Sequence, residues 1–300
     1  MKLQSQFSGT GVALVTPFEE NGAVDWAALE RIIEHVLQEG GVDYIVSLGT
    51  TGEAITLNTA ECKDVFAFTQ KQTKGRVPLV AGLFGSNNTA TILDRYKTYN
   101  LDGFDAVLSS SPAYNKPSQE GIFQHYMKVA EASPLPIIIY NVPSRTGSNV
   151  SAKTTVRLAN ASEKFVAVKE ASGNIVQGME IIKHKPEHFL VLSGDDPITL
   201  PLIAAGGGGV ISVIANAYPK SFSTMVRKAM SGDFAEARIL NNKLLDIHPW
   251  LYIENNPCGI KAALNIMGLC ENSVRLPLVP QIAANYDGLR AAMDLTGLNS

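Results

Sequence analysis

Short apolar runs rich in β-branched residues recur along the chain, and glycine, proline or polar residues bound each of them. The starts of successive runs lie 20 to 34 residues apart, which leaves room for one helix and two loops but not for a hairpin partner. We predict eight strands at these runs: Gly11–Thr16, Tyr44–Leu48, Pro78–Ala81, Ala106–Ser109, Pro136–Tyr140, Phe165–Lys169, Phe189–Ser193 and Gly209–Val213.

The segments between these runs have the periodicity of amphipathic helices. The segment Ala27–Leu37 places its apolar residues on one face and its charged residues on the other. Thr59 and Ser118 are each followed two residues later by a glutamate, so each provides a capping residue and an early acid for a helix. Eight strand–helix units in series predict an α/β fold, the (β/α)8 TIM barrel.

A doubly wound open sheet is the alternative arrangement of alternating strands and helices. A dinucleotide-binding fingerprint after an early strand would favour it. The nearest segment, Gly9–Leu14, lacks the third glycine of that fingerprint and enters a strand instead of a helix. The pattern therefore favours the barrel.

The strand pattern stops after the eighth run. Three helical segments follow, at Phe234–Ile247, Cys258–Met267 and Pro280–Met293. We therefore predict two regions, a catalytic barrel at residues 1–229 and a C-terminal helical appendage at residues 230–300.

The composition indicates a core-rich globular protein, with 45% hydrophobic and only 18% charged residues. The net charge of −3 provides no general attraction for nucleic acid or anionic lipid, so we expect neither as a partner. Three cysteines are too few for a disulfide framework and fit a reducing cytosol. The N-terminus leads into no signal-type apolar run, and no apolar stretch approaches the ~18 residues of a membrane helix. We expect a soluble, cytoplasmic protein.

Lys169, at the end of the sixth strand, is the most informative polar residue, because reactive groups of such barrels lie at the C-terminal ends of strands. Burial disfavours the charged form of an amine, and a neutral amine in a cleft attacks carbonyl carbon to form an imine. A lysine that reaches past the strand end to pair with Glu170 or Asp195 is the structural alternative. Lys169 by itself does not decide between the two.

Other polar residues are predicted at the same barrel mouth. Tyr140 ends the fifth strand, where its phenol could pass protons to and from an imine carbon. Thr50 and Thr51 follow the second strand between glycines, an arrangement that could bind a small carboxylate. Arg145 follows the fifth strand, and its guanidinium suits a second carboxylate. Each has an ordinary structural explanation alone, but their convergence favours a catalytic site.

With these residues in place, the chain resembles the dihydrodipicolinate synthase family of the pyruvate-dependent class I aldolase and lyase superfamily. The likeness covers nearly the full length. It rests on six ordered motifs: Val15–Phe18, Gly49–Glu53, Tyr114–Gly121, Tyr140–Gly147, Val168–Ala171 and Gly209–Val213.

The resemblance implies a catalytic set and a reaction. Lys169 would form an imine with pyruvate, and Tyr140 would act as the general acid and base at that imine. Thr50 and Tyr114 would complete a proton relay, with Tyr114 reaching the site of a neighbouring subunit. The reaction would condense pyruvate with L-aspartate 4-semialdehyde to give 4-hydroxy-tetrahydrodipicolinate, for lysine and diaminopimelate biosynthesis, without metal or organic cofactor.

The resemblance also implies substrate-binding residues and an assembly. Thr51 would hold the pyruvate carboxylate, Ile211 and Gly194 would line the pyruvate pocket, and Arg145 would receive the carboxylate of the semialdehyde. A homotetramer, formed as a dimer of tight dimers, is the implied assembly.

Two other functions remain as alternatives. One is a pyruvate imine aldolase that acts on a sugar-derived aldehyde, such as a sialic-acid lyase or a keto-deoxy sugar acid aldolase. The segment Ser144–Gly147 and Thr50 resemble the synthases instead. The other is a non-catalytic barrel that binds a keto acid, which the presence of the complete catalytic set disfavours.

Two departures from the family pattern concern feedback regulation. Ala113 stands where many synthases have the first of two tyrosines, a residue that belongs to their allosteric lysine site. Thr91 stands where an acidic ligand for the lysine amino group is expected. We therefore expect weak or absent feedback inhibition by lysine.

Overall fold

Eight parallel β-strands form a closed barrel at the centre of the protein. The structure is a computed structural model in which residues 6–298 are described. Neighbours in the chain are neighbours in the barrel, and β8 closes it by pairing with β1. The strands are β1 Gly9–Ala13, β2 Tyr44–Ser47, β3 Leu79–Ala81, β4 Ala106–Ser110, β5 Ile137–Asn141, β6 Phe165–Glu170, β7 Leu190–Ser193 and β8 Gly209–Ser212.

Helices follow every strand, and more helices follow the last strand–helix unit. They are α1 Trp26–Val36, α2 Thr59–Thr73, α3 Thr89–Thr98, α4 Gln119–Ala132, α5 Pro143–Thr146, α6 Ala152–Ala161, α7 Ile175–His184, α8 Thr199–Ala204, α9 Pro219–Met230, α10 Phe234–Leu245, α11 His248–Tyr252, α12 Cys258–Ile266 and α13 Ala283–Leu295. The closed parallel barrel with intervening helices confirms the predicted TIM barrel and excludes the open sheet. Helices α10 to α13 lie C-terminal to the barrel units.

The strands are apolar on both faces because the barrel has two cores. In β5, Ile137 and Ile139 belong to the core between the sheet and the helices, whereas Ile138 and Tyr140 belong to the cluster that fills the barrel interior. This double burial explains why the strands appear in the sequence as continuous apolar runs without alternating polar positions. It also directs Tyr140 to the interior at the C-terminal end of its strand.

The first strand is shifted from its predicted position. It spans Gly9–Ala13 where the sequence predicted Gly11–Thr16. The early start follows from pairing with β8, in which Gly9 is opposite Gly209. The early end occurs because the Val15 N–H donates to the Asn216 side chain at 3.2 Å instead of to a neighbouring strand.

The cap of helix α2 also differs from the prediction. Asn58, not Thr59, is the N-cap residue. Its side-chain oxygen accepts from the Glu61 N–H at 3.0 Å, and the Glu61 carboxylate accepts from the Asn58 N–H at 2.9 Å. This reciprocal capping box satisfies two helix-terminal donors at once, which a threonine one residue later could not do. The predicted cap of α4 at Ser118 is confirmed, since its hydroxyl accepts from the Gly121 N–H at 3.2 Å.

Candidate active site

An amine and a phenol face the same cavity at the C-terminal end of the barrel. Tyr140 and Lys169 are the penultimate residues of β5 and β6 and are directly paired. Both are buried, and Lys169 Nζ lies 4.5 Å from the centroid of the Tyr140 ring. Both line a cavity of about 570 Å3, which we call the lysine cavity. A carbonyl compound in this cavity would meet a nucleophile and a proton-transfer group together.

Lys169 has no anionic partner in the described part of the chain. Glu170, the acidic neighbour considered for an ion pair, accepts instead from Asn141 Nδ2 at 2.9 Å and from Gln177 Nε2 at 3.0 Å. Its other oxygen accepts from the Ser172 N–H at 2.8 Å. The Glu170 carboxylate thus accepts from these three groups and forms no ion pair with Lys169.

The aliphatic stem of Lys169 passes directly over Gly194, which follows β7. A β-carbon at position 194 would lie 2.9 Å from Lys169 Cγ, 3.0 Å from Lys169 Cε and 2.6 Å from the Ala171 β-carbon. Real side chains do not approach so closely, so only glycine leaves this path open to the lysine. Gly194 lines the lysine cavity.

The two threonines after β2 face different spaces. Thr51 is buried and lines the lysine cavity, where its hydroxyl accepts a hydrogen bond from Asn256 Nδ2 at 2.9 Å. Thr50 is exposed and lines an adjoining cavity of about 710 Å3. Tyr140 and Arg145 line both cavities, so the two spaces meet at these side chains.

Arg145 lies in the short helix α5, at the mouth of the lysine cavity. One terminal nitrogen of its guanidinium donates to the Asn256 carbonyl at 3.0 Å, and the side chain remains largely exposed. The guanidinium is therefore held at one point while other donors stay available to a carboxylate.

Ile211 is buried in β8 and belongs to the apolar cluster of the barrel interior, which also contains Tyr140. Ile211 itself does not line the lysine cavity, but Val213, two residues later, forms part of its wall. The Val213 and Ile214 N–H groups both donate to Asp196 Oδ2, at 2.9 and 2.8 Å. These bonds fix the backbone after β8 against the end of β7.

Tyr114 is the one residue of the expected catalytic set that lines neither the lysine cavity nor the adjoining cavity. Its side chain is 89% exposed. It lies in the loop after β4 with a positive φ of 66°, and its N–H donates to the Thr146 carbonyl at 3.0 Å. The loop thus displays the phenol outward.

A buried ion pair supports the loop that contains both threonines. Glu53 ends this loop, and one of its carboxylate oxygens lies 2.5 Å from Lys261 Nζ of helix α12. Both side chains are almost completely buried. Lys261 also donates to the Ser273 carbonyl at 2.9 Å and lies 4.0 Å from the Phe18 ring centroid. Burial lowers the pKa of Lys261, whereas the Glu53 carboxylate opposes that shift.

Sequence reasoning missed three residues of the lysine cavity that lie outside the barrel strands. Tyr252, Asn255 and Asn256 come from helix α11 and the segment that follows it. Burial raises the pKa of Tyr252 well above its usual range. No local pattern in the sequence indicates that this segment folds over the barrel mouth.

The charge of the lysine cavity suits anionic ligands. Burial raises the pKa of the Asp195 carboxyl, and the neighbouring Asp196 raises it further. Arg145 and Lys169 provide basic groups in the same wall.

Among residues 6–298, no three histidine, cysteine, aspartate or glutamate side chains cluster as metal ligands would. Within the same range, no helix has the length and apolar character needed to cross a membrane.

Comparison with known proteins identifies the family. The family model for the dihydrodipicolinate synthetase family matches residues 6–295. A 4-hydroxy-tetrahydrodipicolinate synthase from Flavobacterium psychrophilum is 52% identical over 273 residues, which is 91% of this chain and 92% of that protein. The corresponding enzyme of Parabacteroides distasonis is 48% identical over 285 residues, 95% of each chain.

Solved structures agree with the sequence comparison. The dihydrodipicolinate synthase of Thermotoga maritima superposes with a TM-score of 0.94 at 39% identity, over 97% of this chain and 99% of that one. A monomeric dihydrodipicolinate synthase variant superposes with a TM-score of 0.95 at 38% identity, over 99% of both chains. The chain therefore belongs to the dihydrodipicolinate synthetase family.

Proposed function

We propose that this protein condenses pyruvate with L-aspartate 4-semialdehyde to give 4-hydroxy-tetrahydrodipicolinate, the product for which its relatives are named. The observation that carries the proposal is the buried Lys169 amine, which lacks an anionic partner among the described residues and lies over the Tyr140 ring. The relatives give no support to a sugar-acid substrate. The product belongs to lysine and diaminopimelate biosynthesis.

The first half of the reaction builds a nucleophile from pyruvate. The Lys169 amine attacks the keto carbon through its nitrogen lone pair, and loss of water leaves a protonated imine. A methyl proton then leaves, and its electron pair moves toward the imine nitrogen to give an enamine. Tyr140 transfers these protons, and the Thr51 hydroxyl donates to the pyruvate carboxylate. The protonated imine serves as the electron sink, so the reaction needs neither a metal nor an organic cofactor.

The second half joins the two substrates and releases the product. The enamine carbon attacks the aldehyde carbon of the semialdehyde, and the aldehyde oxygen takes up a proton to become a hydroxyl group. The substrate amine then attacks the imine carbon, and the bond to Lys169 breaks as the ring closes. Arg145 holds the carboxylate of the semialdehyde, Gly194 and the backbone at Ile211 border the pyruvate pocket, and one water is released overall.

The proton relay extends from Tyr140 through Thr50 to Tyr114, and Tyr114 comes from a second subunit. The 89% exposure of the Tyr114 side chain supports this assignment, as does the 96% exposure of Ile55, which lines the adjoining cavity. We propose a homotetramer built from two such dimers. A cytoplasmic location fits the three buried, unpaired cysteines.

The activity is tested by turnover of both substrates, followed as NADPH oxidation by an enzyme that reduces the product. Lys169→Ala should abolish turnover and borohydride trapping of pyruvate. Tyr140→Phe should lower kcat about 10²–10⁴-fold while leaving Lys169 able to be trapped. Trapping without turnover of the semialdehyde would overturn the proposal and favour a sugar-acid aldolase, and reversible pyruvate binding without trapping would indicate a keto-acid sensor.

The shared site is tested by mixing two inactive variants. A dimer with Tyr114→Phe in one subunit and Lys169→Ala in the other contains one site with both wild-type residues. Co-refolded mixtures should therefore regain activity that neither variant shows alone, and sedimentation should show dimers or tetramers. A monomer with full activity, or a mixture without recovery, would contradict the shared site.

A further inference from the structure

Asn256 contacts both residues assigned to the substrate carboxylates, although it lies outside the barrel. Its side-chain Nδ2 donates to Thr51 Oγ1 at 2.9 Å, and its backbone carbonyl accepts from Arg145 Nη2 at 3.0 Å. The residue is only 7% exposed and lines the lysine cavity. It comes from the segment between α11 and α12, 205 residues from Thr51 in the chain.

The direction of the first bond determines what the Thr51 hydroxyl can do. A hydroxyl has one proton to donate and lone pairs to accept. Because Thr51 Oγ1 accepts from Asn256, its proton is not used in this bond, and no acceptor for it lies among the described residues. The proton is therefore available to a carboxylate oxygen inside the cavity.

We propose that the Asn256 side chain is a positioning residue for pyruvate, which orients the Thr51 hydroxyl to donate to the pyruvate carboxylate. This inference rests on the proposed function of Thr51. The two contacts of Asn256 use different groups, the side-chain amide toward Thr51 and the backbone carbonyl toward Arg145. Substitution of the side chain removes the bond to Thr51, whereas the backbone carbonyl that accepts from Arg145 remains.

The side-chain amide of Asn256 also has an oxygen that forms no hydrogen bond with the described residues. This oxygen, Oδ1, is buried. A buried acceptor without a partner costs stability. Apolar replacement of Asn256 therefore removes a favourable bond and an unfavourable burial together. We expect little net change in thermal stability, so an effect on pyruvate binding is not explained by loss of the fold.

The test compares two variants of Asn256. Asn256→Leu keeps the branched shape of the side chain, and Asn256→Asp replaces the amide that donates to Thr51 with a carboxylate that can only accept. Both should raise the KM for pyruvate about tenfold or more, the worth of one hydrogen bond to a charged group. The KM for the semialdehyde should change less than about twofold, a difference too small for a lost contact to Arg145. Asn255→Asp, in the same cavity wall at a positive φ that aspartate tolerates, controls for added negative charge.

A double variant isolates the route through Thr51. Thr51→Val removes the hydroxyl, so addition of Asn256→Leu to it should raise the pyruvate KM no further. An unchanged pyruvate KM in Asn256→Leu, independent effects in the double variant, or an equal rise for the semialdehyde would each overturn the proposal. The pyruvate concentration that half-saturates borohydride trapping measures the same effect without the second substrate. Failure of the semialdehyde reaction in the wild type is therefore distinguishable from failure of this inference.

Discussion

Gly194 lies so close to Lys169 that a β-carbon on residue 194 would come within 2.9 Å of the lysine Cγ. A residue of β6 thus reaches the cavity through space left free by the residue after β7. The position of the amine depends on this neighbour as well as on its own strand.

We expect Gly194→Ala to displace the Lys169 side chain and to lower kcat/KM for pyruvate about 10²-fold, because small misplacements of a reacting group have effects of that size. Initial rates measure the change in kcat/KM, and borohydride trapping measures the reactivity of Lys169 with pyruvate. Gly121→Ala in helix α4 is the matched control, since its added carbon would approach no atom closer than 3.3 Å. Wild-type trapping in Gly194→Ala would contradict the steric argument.

The buried pair of Glu53 and Lys261 should contribute strongly to stability. Lys261→Met leaves a buried carboxylate without its cation, and we expect the free energy of unfolding to fall by about 3–5 kcal/mol. Adding Glu53→Gln should recover part of this loss, because no uncompensated charge then remains. Denaturant unfolding measures both effects. The exposed pair of Lys128 and Glu131 provides the control, and Lys128→Met should cost about 0–1 kcal/mol.

His125 should make the protein less stable in mild acid. Burial lowers its pKa to about 4, so the unfolded chain binds a proton more readily than the folded protein between pH 6.5 and 4. Its contribution to stability is complete above pH 6.5 and is lost as the pH falls toward 4. His125→Gln keeps a partner for Thr89, whose hydroxyl lies 2.9 Å from His125 Nδ1. Thermal unfolding at pH 7.5 and 5.0 should show a smaller acid shift in this variant, and equal shifts would exclude the effect.

Lysine should be a weak feedback inhibitor or none. Thr91 and Ala113 line the adjoining cavity of about 710 Å3, where they offer a hydroxyl and a methyl group. Neither supplies the negative charge or the aromatic ring expected at these positions. Initial rates at saturating pyruvate should be unchanged by lysine, and half-inhibition below about 1 mM would contradict the prediction.

The sequence alone determined the barrel and the residues at the ends of its strands. Apolar runs at regular spacing predict a strand–helix repeat without knowledge of long-range contacts. Because the strands are parallel, the repeat places Tyr140 and Lys169 at the same end of the barrel. Boundaries were less accurate, as at β1 and at the cap of α2, because single side-chain hydrogen bonds decide them. The six motifs also identified the family, which the comparisons confirm.

The tertiary structure decided what surrounds these residues. Asn256 meets Thr51 across 205 residues, and Lys261 meets Glu53 across a comparable span, so no local periodicity could indicate either contact. The need for glycine at position 194 likewise depends on the path of Lys169 in the neighbouring strand. Strand propensity is a local property that short segments encode, whereas the orientation of a hydroxyl or the pairing of a buried charge depends on groups that only the closed barrel and its C-terminal helices bring together.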